Sequence, residues 1–196
     1  MAKILLINPP RFNELIGKNP AIVEKHRGFN PPLGLLCLAS YLEANSPHTV
    51  EVIDAQPEGW DYDALQRQIE QRDFDVCGVT AMTFTLIDVI KTCEAVRRAN
   101  PSAKIVLGGP HVHLFPDETI RRPEVDFLIQ GEGEIAFVEF MDKYQRPDQW
   151  ETIPGIVFQR ADGAIVNKGI AASTDDLDLL GFPARDKLDV SMYASL

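Results

Sequence analysis

The pattern of apolar and polar positions divides most of the chain into alternating strands and helices. Five short apolar runs have the length and composition of buried parallel strands, namely residues 3–8, 49–53, 75–80, 104–107 and 126–130. Each run is followed by a segment with apolar residues at helical spacing. The sequence therefore predicts an α/β fold with a doubly wound, five-stranded parallel sheet in the order 2-1-3-4-5.

Two stretches depart from this alternation. Residues 12–30, between the first strand and the first helix, form a polar segment long enough to predict a functional or mobile loop. Near the other end, residues 155–160 and 164–168 flank Ala161-Asp162-Gly163 and predict a β-hairpin, and an acidic, irregular segment follows. We therefore expect two parts: residues 1–150 form the ligand-binding domain, and residues 151–196 form the hairpin and a linker.

Charge and the length of the apolar runs exclude several classes of partner. The chain carries a formal net charge of −10, whereas proteins that bind nucleic acids or anionic membranes favour basic faces. No apolar run is long enough to span a bilayer, and the N-terminus does not have the form of a signal peptide. Cys37, Cys77 and Cys93 are widely spaced. We therefore expect a cytoplasmic protein with buried, reduced thiols and no nucleic-acid partner.

Small and polar residues end every predicted strand. Because the ligands of doubly wound sheets bind outside the carboxyl ends of the strands, these ends form the candidate site. They are Asn8-Pro9-Pro10-Arg11, Asp54-Ala55, Thr80-Ala81-Met82-Thr83, Gly108-Gly109-Pro110-His111 and Gly131-Glu132-Gly133-Glu134. Glycines let a bulky ligand approach the backbone, and the threonine hydroxyls suit amide or phosphate oxygens. The pattern predicts a broad, largely backbone-lined site for a large ligand.

Several of these residues also fit structural roles. His111 and His113 alternate in a segment expected to be extended, so only one of them would face a ligand, and a position at the surface or core edge competes with metal binding. Glu132 and Glu134 would also stabilise the positive start of the next helix. Asp54 would serve either as a helix cap or as an acceptor for a hydroxyl. The chain has no phosphate-binding or nucleophile motif, so we assign no catalytic and no metal-binding residue.

Five motifs in a fixed order carry a family resemblance. They are Asn8-Pro9-Pro10-Arg11, Pro31-Pro32-Leu33-Gly34-Leu35 with Leu38-Ala39-Ser40-Tyr41-Leu42, Val52-Ile53-Asp54-Ala55, Gly108-Gly109-Pro110-His111 and Gly131-Glu132-Gly133-Glu134. Together they resemble the N-terminal cobalamin (vitamin B12)-binding domain of B12-dependent radical S-adenosylmethionine (SAM) proteins, a group that includes the magnesium-protoporphyrin monomethyl ester cyclases. The resemblance runs from Lys3 to about Tyr193, and Asp176-Leu177-Asp178 with Phe182-Pro183-Ala184-Arg185 resembles the linker that precedes the radical domain.

The resemblance implies a Rossmann-like domain that holds cobalamin across the strand ends, with the nucleotide tail running down beside the sheet. The implied cofactor-binding residues are Pro10, Arg11, Pro32, Leu33, Asp54, Thr80, Ala81, Met82, Thr83, Gly108, Gly109, Pro110, His111, Gly131, Glu132 and Gly133. A downstream radical SAM domain in cis would bind a 4Fe-4S cluster and SAM, and the whole protein would catalyse methyl transfer or cyclisation. Since the chain stops just after the linker-like segment, we expect a piece of a longer protein that is not catalytic alone.

The chain lacks the Asp-x-His-x-x-Gly motif by which many B12 domains supply a histidine to cobalt. His26 lies in Glu24-Lys25-His26-Arg27-Gly28, which does not match that motif. The resemblance therefore implies base-off cobalamin, with residues of the long loop near Pro10 and Arg11 facing the lower side of the corrin. The alternative function is a non-catalytic sensor or interaction domain of the same fold that has lost the cofactor. Cobalamin retention separates the two, and valine at Gly108 or Gly109 is expected to abolish retention without loss of the fold.

Overall fold

One sheet of seven strands runs through the centre of the protein. The computed structural model describes residues 1–14 and 28–193, so His26 and most of the predicted long loop lie outside the described residues. The strands are β1 (Lys3–Asn8), β2 (Thr49–Asp54), β3 (Val76–Thr80), β4 (Lys104–Gly108), β5 (Phe127–Ile129), β6 (Ile156–Gln159) and β7 (Ile165–Asn167). Their order in the sheet is β2-β1-β3-β4-β5-β6-β7.

The first five strands are parallel, which confirms the predicted fold class and strand order. The predicted hairpin provides β6 and β7, and β6 pairs antiparallel with β5 and so continues the same sheet. The sheet therefore has seven strands instead of the predicted five. The pairing is favourable because β5 would otherwise present an open row of backbone donors and acceptors.

Helices connect the parallel strands. They are α1 (Leu33–Asn45), α2 (Tyr62–Glu70), α3 (Leu86–Ala99), α4 (Pro110–Leu114), α5 (Pro116–Ile120) and α6 (Gly133–Lys143). The expected extended conformation around His111 and His113 is wrong, because the residues after β4 turn directly into the short helix α4. Pro110 occupies the first turn of that helix, where its missing N–H costs nothing. No helix within residues 1–14 and 28–193 is long and apolar enough to cross a membrane.

The two faces of the sheet bury separate apolar clusters. Side chains alternate along β1, so Leu5 and Ile7 pack under α2 and α3, whereas Ile4 and Leu6 pack under α1 and α6. This coverage of both faces explains why the parallel strands are almost entirely apolar. The expected burial of the thiols holds for Cys77 and Cys93, which lie in the first cluster; Cys37, on α1, is partly buried.

A buried carboxyl group on α3 fixes the segment that follows β1. The side chain of Asp88 accepts hydrogen bonds from the backbone N–H groups of Phe12 (3.3 Å) and Asn13 (2.9 Å) and from the Asn13 side-chain amide (3.0 Å). The Tyr62 hydroxyl, at the start of α2, donates to the same carboxyl. Asp88 is fully buried. The network therefore holds residues 12–14 against α2 and α3, directly beyond the end of β1.

The last described segment, residues 169–193, runs from the carboxyl end of β5 along α1 to the carboxyl end of β2; we call it the C-terminal strap. It begins beside β5, where the Ala171 N–H donates to the Gln130 carbonyl over 3.0 Å. It then follows α1, where Lys187 Nζ lies 2.8 Å from Glu43 Oε1. It ends at β2, where the Tyr193 hydroxyl donates to Asp54 Oδ2 over 2.8 Å. The strap thus links the ends of the two outer parallel strands.

Candidate functional site

A cavity of about 460 Å³ opens at the carboxyl ends of the strands, between α1 and α6. Its floor is the sheet itself, and the described residues that form the floor are Leu6, Gly78, Val79, Val106, Leu107 and Ile129. The first turns of α1 and α6 form its walls, together with Leu38 and Phe137. Its volume lies in the range of small-molecule sites, and it combines an apolar interior with polar groups at the mouth. We call it the main cavity.

Three glycines on the main cavity leave open space on its wall. A Cβ atom built on Gly34 or Gly133 would meet no other atom within 4 Å, and one built on Gly108 would lie 4.0 Å from the nearest, the Ile129 carbonyl oxygen. The structure of the chain around them would therefore accept alanine at each position. A glycine in the first turns of a helix also weakens that helix relative to alanine. The fold itself therefore does not require glycine at these three positions.

Other glycines of the same region are required by the chain itself. Gly109 has φ +100°, and a Cβ there would lie 2.9 Å from the Ala81 carbonyl oxygen. This close approach follows from two backbone hydrogen bonds, Ala81 N–H to Gly108 (2.7 Å) and His111 N–H to Ala81 (3.0 Å), which join the ends of β3 and β4. The expectation that valine at Gly109 would leave the fold intact is therefore wrong. Gly131 is similarly restricted, since its Cβ would lie 2.7 Å from the Ala171 carbonyl oxygen.

A second, smaller cavity of about 120 Å³ lies next to the main one. The two cavities share four lining residues, which are Asn8, Gln56, Thr80 and Met82. Arg11 also lines the small cavity, and its guanidinium lies over the Phe29 ring, 5.5 Å from the centroid. Arg11 Nε is 3.7 Å from Glu14 Oε1, so this wall carries both a positive and a negative group.

Asp54 lies behind the site as a buried anchor. It is 4% exposed, and its Oδ1 accepts from Asn8 Nδ2 (2.8 Å) and the Gln56 N–H (3.1 Å), while Oδ2 accepts from Tyr193. Burial raises the pKa of the Asp54 carboxyl; hydrogen bonds from Tyr193, Gln56 and Asn8 and the charge of Arg11 oppose that rise. Asp54 was expected either to cap a helix or to accept a hydrogen bond from a hydroxyl. It has the second role, and the hydroxyl belongs to Tyr193. The cap of α2 is Asp61.

The two histidines after β4 bind groups within the protein. His111 is buried, and its Nδ1 shares a hydrogen bond of 3.1 Å with Thr83 Oγ1. Burial lowers the pKa of His111, which favours the neutral ring. His113 Nε2 accepts a hydrogen bond from the Gly131 N–H. Within the described residues, no group of three or more His, Cys, Asp or Glu side chains has the arrangement of a metal site.

The structure brings most of the sequence-derived site residues together on these cavities. The main cavity is lined by Pro32, Leu33, Thr80, Met82, Gly108, Gly109, Gly131, Glu132 and Gly133. Arg11 lines the small cavity. The remaining six residues lie on the wall of neither cavity, and they are Pro10, Asp54, Ala81, Thr83, Pro110 and His111. Of these, Ala81 and His111 are buried where the ends of β3 and β4 are joined.

Sequence reasoning missed the floor of the main cavity and one polar residue of its wall. The floor residues belong to ordinary buried strands, and nothing in an apolar run marks which of its residues border a cavity. Gly78, an isolated glycine within β3, was a usable signal, because such a glycine often marks a close approach. Its own Cβ would lie 2.7 Å from Leu6 Cδ2. Gln56, which touches both cavities, carries no such sequence signal.

Comparisons with known proteins show the family to which this chain is similar. A family model described as B12 binding domain matches residues 20–141. An uncharacterized methyltransferase of Pyrococcus horikoshii is 30% identical over 192 residues, covering 97% of this chain and 40% of that protein. The anaerobic magnesium-protoporphyrin IX monomethyl ester cyclase of Synechocystis is 28% identical and covers 97% of this chain and 38% of its own length. The chain thus spans about two fifths of these relatives.

Solved structures share the fold. The cobalamin-dependent SAM radical enzyme OxsB, with aqua-cobalamin and SAM bound, superposes with a TM-score of 0.76 at 16% identity, over 95% of this chain and 24% of that one. The radical SAM methyltransferase TsrM of Kitasatospora setae, with cobalamin and a [4Fe-4S] cluster bound, superposes with a TM-score of 0.66 at 20% identity. The match covers 90% of this chain and 30% of that one. At these identities the likeness concerns the arrangement of the elements.

Proposed function

Because this chain belongs to the B12 binding domain family, we propose that its main cavity receives the nucleotide tail of base-off cobalamin and that the corrin ring lies across the strand ends. The cavity volume of about 460 Å³ suits the base and sugar of the tail but not a whole corrin. The apolar floor suits the flat face of the base, and the polar mouth suits the sugar and phosphate.

The observation that carries this proposal is the open space at Gly34, Gly108 and Gly133. These glycines lie on two helices and one strand, and they meet only at the main cavity. A domain that had lost its ligand would have no use for this space, so the alternative function is disfavoured. We also propose that Arg11 and Pro10 border the lower face of the corrin, since Arg11 lines the adjoining small cavity.

Bound cobalamin supplies a cobalt centre that carries a methyl group or an electron. The role of this chain is to bind and orient that centre: residues 1–150 provide the site, and residues 151–193 complete the sheet and form the strap. We propose that the whole protein adds a radical SAM domain in cis, with a 4Fe-4S cluster and SAM, and catalyses methyl transfer or cyclisation. The similarity to a methyltransferase and to a cyclase supports that proposal.

A retention experiment tests the proposal. The purified chain is mixed with hydroxocobalamin, free ligand is removed, and the visible spectrum is recorded after reduction to the cob(II) state. We expect retained corrin with a base-off spectrum. Cobinamide, which lacks the nucleotide tail, should be retained at least about tenfold more weakly, because it leaves the main cavity unfilled. Absence of any retained corrin at micromolar protein would overturn the proposal.

Valine at Gly108 tests the location of the tail. The change adds a side chain to the cavity floor, and its Cβ meets no atom closer than 4.0 Å, so the fold should persist. We expect cobalamin affinity to fall at least about tenfold, because the added atoms occupy the volume of the tail, while cobinamide affinity changes little. Ala44→Val, on the exposed surface of α1, is the matched control. Equal cobalamin affinity in Gly108→Val and wild-type protein would contradict the assignment.

A further inference from the structure

The carboxamide of Gln56 is held in one orientation on the wall shared by the two cavities. Its Nε2 donates to the Pro9 carbonyl oxygen over 3.1 Å and lies 3.4 Å from Asn8 Oδ1. A backbone carbonyl only accepts hydrogen bonds, so the side-chain NH₂ must face Pro9 and the oxygen Oε1 must point away from it. The orientation of Gln56 therefore follows from the chemistry of its neighbours.

The neighbouring side chain is fixed in the same way. Asn8 Nδ2 donates to the buried carboxyl of Asp54 over 2.8 Å, which leaves Asn8 Oδ1 as the acceptor that faces Gln56. The backbone N–H of Gln56 donates to the same carboxyl. Asp54 therefore orients the Asn8 carboxamide directly and holds the Gln56 backbone, and it acts on the Gln56 carboxamide only through Asn8 Oδ1; it does not itself line either of the two cavities. A group fixed before a ligand arrives loses little entropy on binding.

Gln56 Oε1 is an acceptor that has no hydrogen-bond donor among the described residues, although the side chain lines both cavities. A partner for it must supply an N–H or O–H group. The small cavity is lined by both Arg11 and Glu14, whose opposite charges lie close together, so the selection made at this wall comes from the Gln56 oxygen and not from net charge. A neutral N–H donor is the chemistry that this wall accepts, and a carboxylate is the chemistry that it rejects, because two acceptors would then face each other.

We propose that Gln56 recognises a primary carboxamide at the edge of the corrin ring, with Oε1 accepting a hydrogen bond from the ligand NH₂ group, and that Asp54 and Asn8 position it. This inference rests on the proposed function and extends it from binding to selectivity. The site distinguishes a corrin whose peripheral groups are all amidated from one that still carries a carboxylate at the contacted position. Gln56 is thus a specificity-determining residue of the cofactor site.

The test compares hydroxocobalamin with a panel of its monocarboxylates, in each of which one peripheral carboxamide has been hydrolysed. Dissociation constants are measured by spectroscopic titration for wild-type protein and for Gln56→Leu. We expect the wild type to bind one member of the panel at least about tenfold more weakly than hydroxocobalamin, because that member presents an acceptor to Oε1. Gln56→Leu should bind hydroxocobalamin about fivefold more weakly than the wild type does. The variant should also no longer discriminate, and should bind that monocarboxylate as tightly as it binds hydroxocobalamin.

Gln66→Leu, the same change on the surface of α2, is the control and should keep the wild-type selectivity. Thermal unfolding of both variants verifies that each is folded. The inference is overturned if the wild type binds every monocarboxylate as well as hydroxocobalamin, or if Gln56→Leu keeps the wild-type discrimination. Failure of the wild type to bind hydroxocobalamin at all would instead overturn the proposed function, so the two failures are distinguishable.

Discussion

Gly133 illustrates, at the scale of a single residue, a conflict between stability and ligand binding. It is the first residue of α6, and a Cβ there would meet no other atom within 4 Å. We expect Gly133→Ala to raise the free energy of unfolding by up to about 1 kcal/mol, because alanine favours the helix and restricts the unfolded chain. The same change should weaken cobalamin binding, since its methyl group enters the main cavity. Urea unfolding and spectroscopic titration measure the two effects.

The decisive feature of that prediction is that the free energy of unfolding rises while cobalamin affinity falls. Gly109→Ala provides the contrast, because its φ of +100° and the nearby Ala81 carbonyl oxygen should make alanine destabilising there. A Gly133→Ala variant that is both more stable and unchanged in affinity would show that the first turn of α6 does not face the ligand.

The site residues that could be predicted from sequence are those whose residue type is itself unusual for their position. Two glycines after a buried strand, or prolines before a helix, indicate a site without any knowledge of the fold. Gln56 has an ordinary identity, and only the positions of Pro9, Asn8 and Asp54 reveal its orientation. His111 shows the reverse case, because its identity suggested a ligand contact and its burial beside Thr83 gives it a structural partner.

At the scale of elements, Asp88 connects α3 to the segment after β1. Replacing it by alanine removes the acceptor of Phe12, Asn13 and Tyr62 and leaves the two backbone N–H groups and the Tyr62 hydroxyl without that partner. We expect Asp88→Ala to lower the free energy of unfolding by about 3 kcal/mol. Hydrogen exchange should accelerate at the Phe12 and Asn13 amides in particular, because these two groups donate directly to the lost carboxyl.

Tyr62→Phe is the milder companion variant. It removes one donor and keeps the carboxyl, so the two backbone amides should remain protected and the loss of stability should be smaller. Equal exchange rates at Phe12 and Asn13 in Asp88→Ala and wild-type protein would contradict the anchoring role. Wild-type stability together with faster exchange would mean that the network orders this segment without contributing to the fold.

The elements themselves were largely predictable, because apolar periodicity determines where strands and helices form. Helix α1 shows the limit of that reasoning, because the spacing of its apolar residues predicts that Leu35, Leu38, Ala39 and Leu42 share a buried face. Leu35, Ala39 and Leu42 are buried, whereas Leu38 is only partly buried, and Leu35 and Leu38 both line the main cavity. Periodicity identifies the face of a helix that turns inward, but it does not reveal whether protein or ligand covers each residue on that face.

At the scale of the whole molecule, Asp54 joins the strap to the sheet, and its protonation should affect overall stability. Burial raises its pKa in the folded protein above the value in the unfolded chain. Between those two pKa values the folded state binds more protons than the unfolded state, so stability falls as pH rises through that window. We expect Asp54→Asn, which cannot titrate, to gain stability relative to wild type between about pH 4 and about pH 7.

Urea unfolding of both proteins at the two pH values measures this difference. Asparagine keeps an acceptor for Asn8 and can donate to the Tyr193 oxygen, so the strap should stay attached in the variant. A stability difference between the two proteins that does not vary with pH would show that burial leaves this carboxyl unperturbed.

The parallel part of the sheet, β1 to β5, was predictable, because strand order follows from the alternation of strands and helices and from the right-handed connections between them. The attachment of the hairpin to β5 was not, because pairing between distant segments leaves no local sequence signal. Phe127 and Phe158 lie opposite each other in β5 and β6 and pack together in the same cluster. In the sequence, however, each is only an apolar residue that is expected to be buried. Long-range pairing of this kind depends on the edge that the rest of the fold leaves open.

The open glycines also have an evolutionary consequence. A single base change converts a glycine codon into an alanine codon, and at Gly34 and Gly133 that change meets no steric obstacle. A lineage released from selection for the cofactor would therefore gain stability by accumulating alanines at these two positions. Descendants of this fold that no longer bind a corrin should be recognisable by alanine at both positions, while the glycine equivalent to Gly109, which the backbone itself requires, persists in binding and non-binding lineages alike.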